Sequence, residues 1–264
     1  MSPRQIHKHS QSKFFTLSQI RESLDSTNSK KHSMAKYQVV PVNHQEWSNP
    51  LTITSINNVD VLGVPLSNDP SLPPYSFKSA MSRVALPSAH LKRATVSFRP
   101  TQGYSCNWDQ AGFLFVRPKP ELPEPSAEHG GCSGTAPSFV KIGIEFWEGE
   151  IYHMVCSSHE DLTDWSLHAI PEAYKNEWDI TMEILRFGDR LAIHAIYGQG
   201  PHVVKRMIRI VPWCFVNESR DDPDIWVAVY VSRPDADGTT TEPLVVQFHD
   251  FEIEDLNGVT RVDR

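Results

Sequence analysis

The stretch SFVKIGIEFWEGEIYHMVC, residues 138–156, decides the fold. Val140, Ile142, Ile144 and Phe146 share one parity, and Lys141, Gly143 and Glu145 the other. An extended strand therefore buries the first set and turns the second to the opposite face. WEGE marks a hairpin turn, after which IYHMVC (151–156) resumes an apolar, β-branched run. A lysine and a glutamate on the outer side of so apolar a strand read either as an ion-pair ladder or as two corners of a binding face.

Runs of the same kind recur on both sides: ATVSF (94–98), AGFLFV (111–116), WDITMEIL (178–185), LAIHAIY (191–197), VVKRMIRIV (203–211), IWVAVYV (225–231) and LVVQFHDFEI (244–253). FGDR, YGQGP, ESRDDPD and RPDADG punctuate them as turns. Twenty prolines and the lack of interleaved amphipathic helices leave an antiparallel sandwich or barrel as the expected architecture. DLTDWSLHAIPEAYKNE (161–177) reads mainly as a crossover, with a turn of helix around Pro171–Tyr174.

The chain has 264 residues and 39% hydrophobic side chains, enough for one large core. Residues 1–45 hold seven Lys/Arg against two acids and few apolar residues, and are expected to form a disordered or partly helical extension. Met34, directly before AKYQVV, is a candidate internal start of translation. The domain is expected over 46–257, with a short tail at 258–264 and a Pro-, Gly- and acid-rich mobile insertion at 117–138.

The net charge of −7 divides into +5 on residues 1–45 and −12 on the rest, and so acidic a body disfavours a nucleic-acid backbone as partner. No apolar run reaches the roughly 18 residues that span a bilayer, and no apolar leader of the secretory kind opens the chain. A cytoplasmic protein is expected, with Cys106, Cys132, Cys156 and Cys214 as reduced thiols rather than a disulfide frame or a zinc ribbon.

NWDQAGFLF (107–115), VKIGIEFWEG (140–149), TDWSLHAIP (163–171), WDITMEILRFGDRLAIHA (178–195) and VVQFHDFEIE (245–254), in that order, resemble the domain-of-unknown-function family that includes the fungal regulation-of-enolase protein. The resemblance covers roughly residues 47–254. It implies an all-β fold, a concanavalin-A-like lectin/glucanase jelly roll of two stacked antiparallel sheets, and a regulatory link to carbon metabolism. Ligands of that fold class sit across the concave face.

On that face the candidate ligand-binding residues are Gln110, Lys141, Glu145 and Trp165. Gly143 would leave a shallow gap between the lysine and the glutamate, the Gln110 amide offers both a donor and an acceptor, and Trp165 supplies an aromatic wall. Hydroxyls need such polar partners and pyranose rings stack on aromatics, so a carbohydrate-like metabolite is the expected ligand, with a protein partner as the other possibility. The competing reading makes Lys141 and Glu145 an ion pair and Asp164 with Ser166 a cap around a buried tryptophan.

Catalysis is not the leading expectation. Glucanases of this fold class carry Glu-x-Asp-x-x-Glu on one strand, and Glu145 has no second acid on its parity. If the protein is an enzyme, Glu145 and Lys141 are the acid–base candidates. His153, Cys156 and His159 are spaced three apart, which on a strand turns neighbours to opposite faces, so no metal site is expected. No cofactor motif is present.

Overall fold

The computed structural model describes residues 37–44, 50–63, 75–234 and 240–262. Their strands are β1 (Val39–Val42), β2 (Leu51–Ser55), β3 (Val61–Gly63), β4 (Tyr75–Phe77), β5 (Ala80–Leu86), β6 (Arg93–Pro100), β7 (Gln110–Arg117) and β8 (Ser138–Trp147). There follow β9 (Glu150–His159), β10 (Leu162–Ala169), β11 (Ile180–Phe187), β12 (Arg190–Tyr197), β13 (Val204–Val211), β14 (Ile225–Ser232), β15 (Leu244–Asp255) and β16 (Gly258–Arg261). Three short 3-10 turns are the helical elements among the described residues, and none is long and apolar enough to cross a membrane.

Two large antiparallel sheets stack face to face. One runs β1-β5-β14-β7-β8-β9-β10; the other runs β13-β12-β11-β6-β15-β16, with β2 also on β15. The expected two-sheet jelly roll is therefore the observed fold. The core lies between the sheets, where Phe113, Val140, Ile142, Ile144 and Val229 meet Val96, Phe98, Met182, Ile193 and Phe251. The expected hairpin is present: Trp147 pairs with Glu150, and Glu148 and Gly149 both take positive φ, 50° and 87°. That is the backbone twist a two-residue turn needs to continue the strands.

The first sheet departs from simple alternation because its outer face is covered too. Leu114, Val116, Phe139, Met154, Cys156, Trp226 and Tyr230 form a second apolar cluster with Val61 of β3 and Phe77 of β4. Strand β8 is consequently buried on both sides from Ser138 to Glu145, and β14 is buried throughout. Such strands read as near-continuous apolar runs, which is how IWVAVYV reads.

Several expected boundaries move. Most of the expected 1–45 extension lies outside the described residues, but Val39–Val42 within it are β1, paired with Met81–Val84. The expected tail contains β16, paired with the end of β15. The expected insertion is bonded to the body: Arg83 reaches Glu124 at 2.7 Å, Asn43 accepts the Ala127 N–H at 3.1 Å, and Ser133 donates to Asp161 at 2.8 Å. TDWS belongs not to a crossover but to β10, an edge strand whose polar outer positions hid its period. The helical turn after it spans Glu172–Tyr174.

Candidate functional site

Register brings the candidate residues together. Gln110 on β7 lies opposite Glu145 on β8, Gly112 opposite Gly143 and Leu114 opposite Lys141; Cys156 on β9 then sits between Lys141 and Trp165 of β10. All these side chains share the outer face. One hydrogen-bonded chain crosses it. Lys141 Nζ donates to Asp60 at 2.7 Å and to Gln110 Oε1 at 2.9 Å, Gln110 Nε2 donates to Glu145 Oε2 at 3.0 Å, and the Trp165 indole N–H donates to the same oxygen at 3.2 Å. Gln110 thus stands between the lysine and the glutamate as a neutral relay, its oxygen accepting and its nitrogen donating.

Two expectations about this face are corrected. Gly143 leaves no gap: a Cβ there would lie 2.0 Å from the Ala111 carbonyl oxygen, and one on Gly112 would lie 2.1 Å from that of Ile142. The glycine pair permits close approach of the β7 and β8 backbones, so it shapes the sheet rather than a pocket. Nor is Trp165 the buried centre of a turn. It is 43% exposed on the edge strand, whereas Gln110, Lys141 and Glu145 are 3%, 2% and 0% exposed. Asp164 and Ser166, expected to cap that turn, instead bond to Arg209 of β13.

Burial governs the charges. It works against the Lys141 ammonium as the largest single influence, but Asp60, with Cys156 and Glu145 adding to its effect, outweighs burial and leaves the lysine above its ordinary range, a fixed cation rather than a base. Burial pushes the Glu145 carboxyl up to about 7, against the downward pull of Lys141 and of the Trp165 N–H. Its second oxygen, Oε1, is buried without a hydrogen-bond partner among the described residues, as is the hydroxyl of Tyr230, which stands opposite Gly112 on the same face. Burial near Asp60 and Glu145 holds the Tyr230 phenol protonated. Cys156, raised to about 11 by burial, is not a reactive thiol.

At the rim this buried chain meets an aromatic cluster. The Trp108 ring lies 4.1 Å from Trp147 and 5.6 Å from Trp165, centroid to centroid, with the planes tilted by 47° and 50°. Trp108 takes φ 72°, a conformation a bulky residue adopts only when its surroundings impose it. Asp109, the next residue, anchors the loop that leads into Trp108. It accepts the N–H groups of Ser105 and Cys106 at 2.9 and 3.0 Å and is held by Arg233 through two 2.7 Å bonds, both partners being at most 2% exposed. The sequence reading missed Asp60, Trp108, Asp109, Trp147, Tyr230 and Arg233. For two of these a signal existed: once Gln110 pairs with Glu145, stepping two residues outward on each strand puts Trp108 beside Trp147.

No metal centre is formed: among the described residues there is no group of three or more His, Cys, Asp or Glu side chains placed to hold an ion. His153 faces the inter-sheet core and bonds to the Tyr197 hydroxyl at 2.6 Å, Cys156 faces outward, and His159 ends the strand.

The chain is similar in fold to a yeast protein of unknown function. That Saccharomyces cerevisiae structure superposes with a TM-score of 0.55 at 15% identity, over 82% of this chain and 95% of its own. More distant likenesses are to the catalytic domain of an endo-1,3-β-glucanase from Thermotoga petrophila (TM-score 0.41, 11% identity, 75% and 74% of the two chains) and to winged bean acidic lectin bound to methyl-α-D-galactose (0.38, 13%, 81% and 96%). No protein-family model matches the chain, and no curated protein does.

Proposed function

We propose that this protein is a non-catalytic binding protein that takes a carbohydrate-like metabolite at the tryptophan shelf formed by Trp108, Trp147 and Trp165. The observation that carries this reading is the bond from the half-exposed Trp165 indole to the buried Glu145 carboxyl, which anchors an aromatic surface ring on a rigid polar frame. Aromatic faces accept the C–H face of a pyranose, while fixed polar groups orient its hydroxyls. Gln110, Lys141 and Glu145 act here mainly as that frame, since their burial keeps them from solvent. The cytoplasmic setting and the regulatory link to carbon metabolism rest on the sequence resemblance and composition alone.

The test is a titration of the full chain with neutral mono- and oligosaccharides, followed by tryptophan fluorescence and thermal stability. Saturable quenching that Trp165→Ala removes supports the reading. No response to any sugar overturns it in favour of a protein partner.

A second reading has one observation behind it. A carboxyl held near 7 with one oxygen unpartnered suits a general acid or base, which would make Glu145 the acid–base group of a sugar-active enzyme. Lys141, fixed as a cation, would then orient rather than abstract a proton. Turnover of a glycoside that Glu145→Gln abolishes without loss of fold distinguishes the two.

A further inference from the structure

A separate cleft opens at one end of the sandwich, about 510 Å3 in volume and lined by none of the residues of the tryptophan shelf or its frame. Its floor is a row of three residues on neighbouring strands of the first sheet. Arg117 of β7 pairs with Ser138 of β8, and the next position across is His159 of β9. Ser138 and the His159 Nδ1 are hydrogen-bonded at 3.0 Å. The imidazole is held flat against Trp213, with centroids 4.6 Å apart and planes within 6°, and the Trp213 N–H is itself tied to Ser157 at 3.0 Å. The histidine therefore has a fixed orientation without spending its Nε2 on the frame.

The charges around this ring are unequal in their freedom. Arg117 and Asp222 neutralise each other at 3.0 Å, and the same guanidinium also donates to the carbonyls of Val216 and Asn217, so this pair is structural. Glu160 reaches only to 3.7 Å of His159 Nε2 and its side chain is 82% exposed. Lys119, also lining the cleft, donates to the Gly134 carbonyl at 2.5 Å and forms no ion pair among the described residues, although its charge is felt by the exposed Asp161 carboxylate that accepts the Gly134 N–H. Pro118, Pro120 and Pro212 make the remaining walls apolar.

We propose that this cleft is a second ligand site, for a small organic anion whose carboxylate or phosphate is held by Lys119, His159 and the Ser138 hydroxyl while its apolar body lies against Trp213 and the prolines. A charged lysine, an imidazole N–H and a hydroxyl are the donor set that an oxyanion requires, and a rigid aromatic wall favours a flat body. His159 is depressed in the free protein by burial, with Arg117 and Lys119 adding to the effect and Glu160 opposing it. An anion seated among these groups relieves the cationic crowding and favours the protonated ring.

The test follows the His159 ring by NMR in the full-length chain, assigned by its loss in His159→Gln, during titration with inorganic phosphate, with benzoate, and with chloride at matched ionic strength. The expected result is a saturable shift with phosphate or benzoate, a His159 titration midpoint that moves upward when the anion is bound, and binding about tenfold weaker in Lys119→Met, the effect of one lost charge-assisted contact. Saturation by phosphate alone identifies a phosphate ligand, and tighter benzoate binding an aromatic carboxylate; either supports the site. A response to chloride equal to that of the other anions, an unmoved midpoint, or a Lys119→Met variant that binds as the parent does would overturn it.

Discussion

The indole nitrogen of Trp165 and the Oε2 oxygen of Glu145 lie 3.2 Å apart, joining an exposed edge strand to a fully buried carboxyl two strands away. The same oxygen takes the Gln110 amide. Trp165→Phe keeps the ring and removes the donor. The variant is expected to lose about 1 kcal/mol of stability, the net worth of one hydrogen bond, and to raise the Glu145 pKa further, because a donor that favours the carboxylate is gone. Urea denaturation and carboxyl NMR measure the two effects. An unchanged Glu145 titration would show that the indole does not hold the carboxyl.

Gly112 and Gly143 face each other across β7 and β8 with carbonyl oxygens where their Cβ atoms would be. Gly143→Ala must push two central backbones apart. A loss on the order of 3 kcal/mol or more is expected, in the range of severe overpacking. Equilibrium denaturation decides this, and a loss near zero would mean that the strands yield.

Parity was legible in the sequence; register and burial were not. Strict alternation along one strand puts Lys141 and Glu145 on one face. Gln110 joins them only once β7 pairs alongside, and Trp165, in a stretch that reads as a crossover, has no parity to place it; the structure links all four. What hides that face is Val61 and Phe77, from strands of three residues each, too short to show any period. Asp60, the carboxylate that keeps Lys141 charged, is 81 residues away from it, and nothing local in the sequence connects the two. Strand β5, AMSRVAL, escaped notice for a related reason. Arg83 and Ser82 interrupt its apolar pattern, yet Ser82 is fully buried and Arg83 packs over the Trp226 ring at 4.1 Å.

Asp109→Asn removes one partner from a buried bidentate pair and leaves Arg233 charged in the interior. A cost of about 3 to 5 kcal/mol is expected for such a break. The loop bearing Trp108 should loosen as well, since Asp109 also takes the N–H groups of Ser105 and Cys106. Hydrogen exchange resolves the two consequences. Faster exchange at Ser105 and Cys106 than the global loss explains is the expected signature, and sugar binding should weaken with it.

The pH dependence of stability offers the sharpest view of Glu145. Its folded pKa of about 7 lies above the roughly 4.3 of an unfolded glutamate, so between those values the folded state holds a proton that the unfolded state has lost. Its contribution is complete below the unfolded pKa and is lost as pH rises through the folded one. At 1.36 kcal/mol per unit, the decline amounts to roughly 4 kcal/mol at most. Glu145→Gln cannot titrate, so the stability difference between parent and variant should shift toward the variant from about pH 4 to pH 7 and level off above. Other titrating groups, His153 among them, cancel in that difference to the extent that the substitution leaves them alone. Parallel profiles in urea denaturation across this range would mean that Glu145 is already ionised in the folded protein, and would remove the main support for an acid–base role.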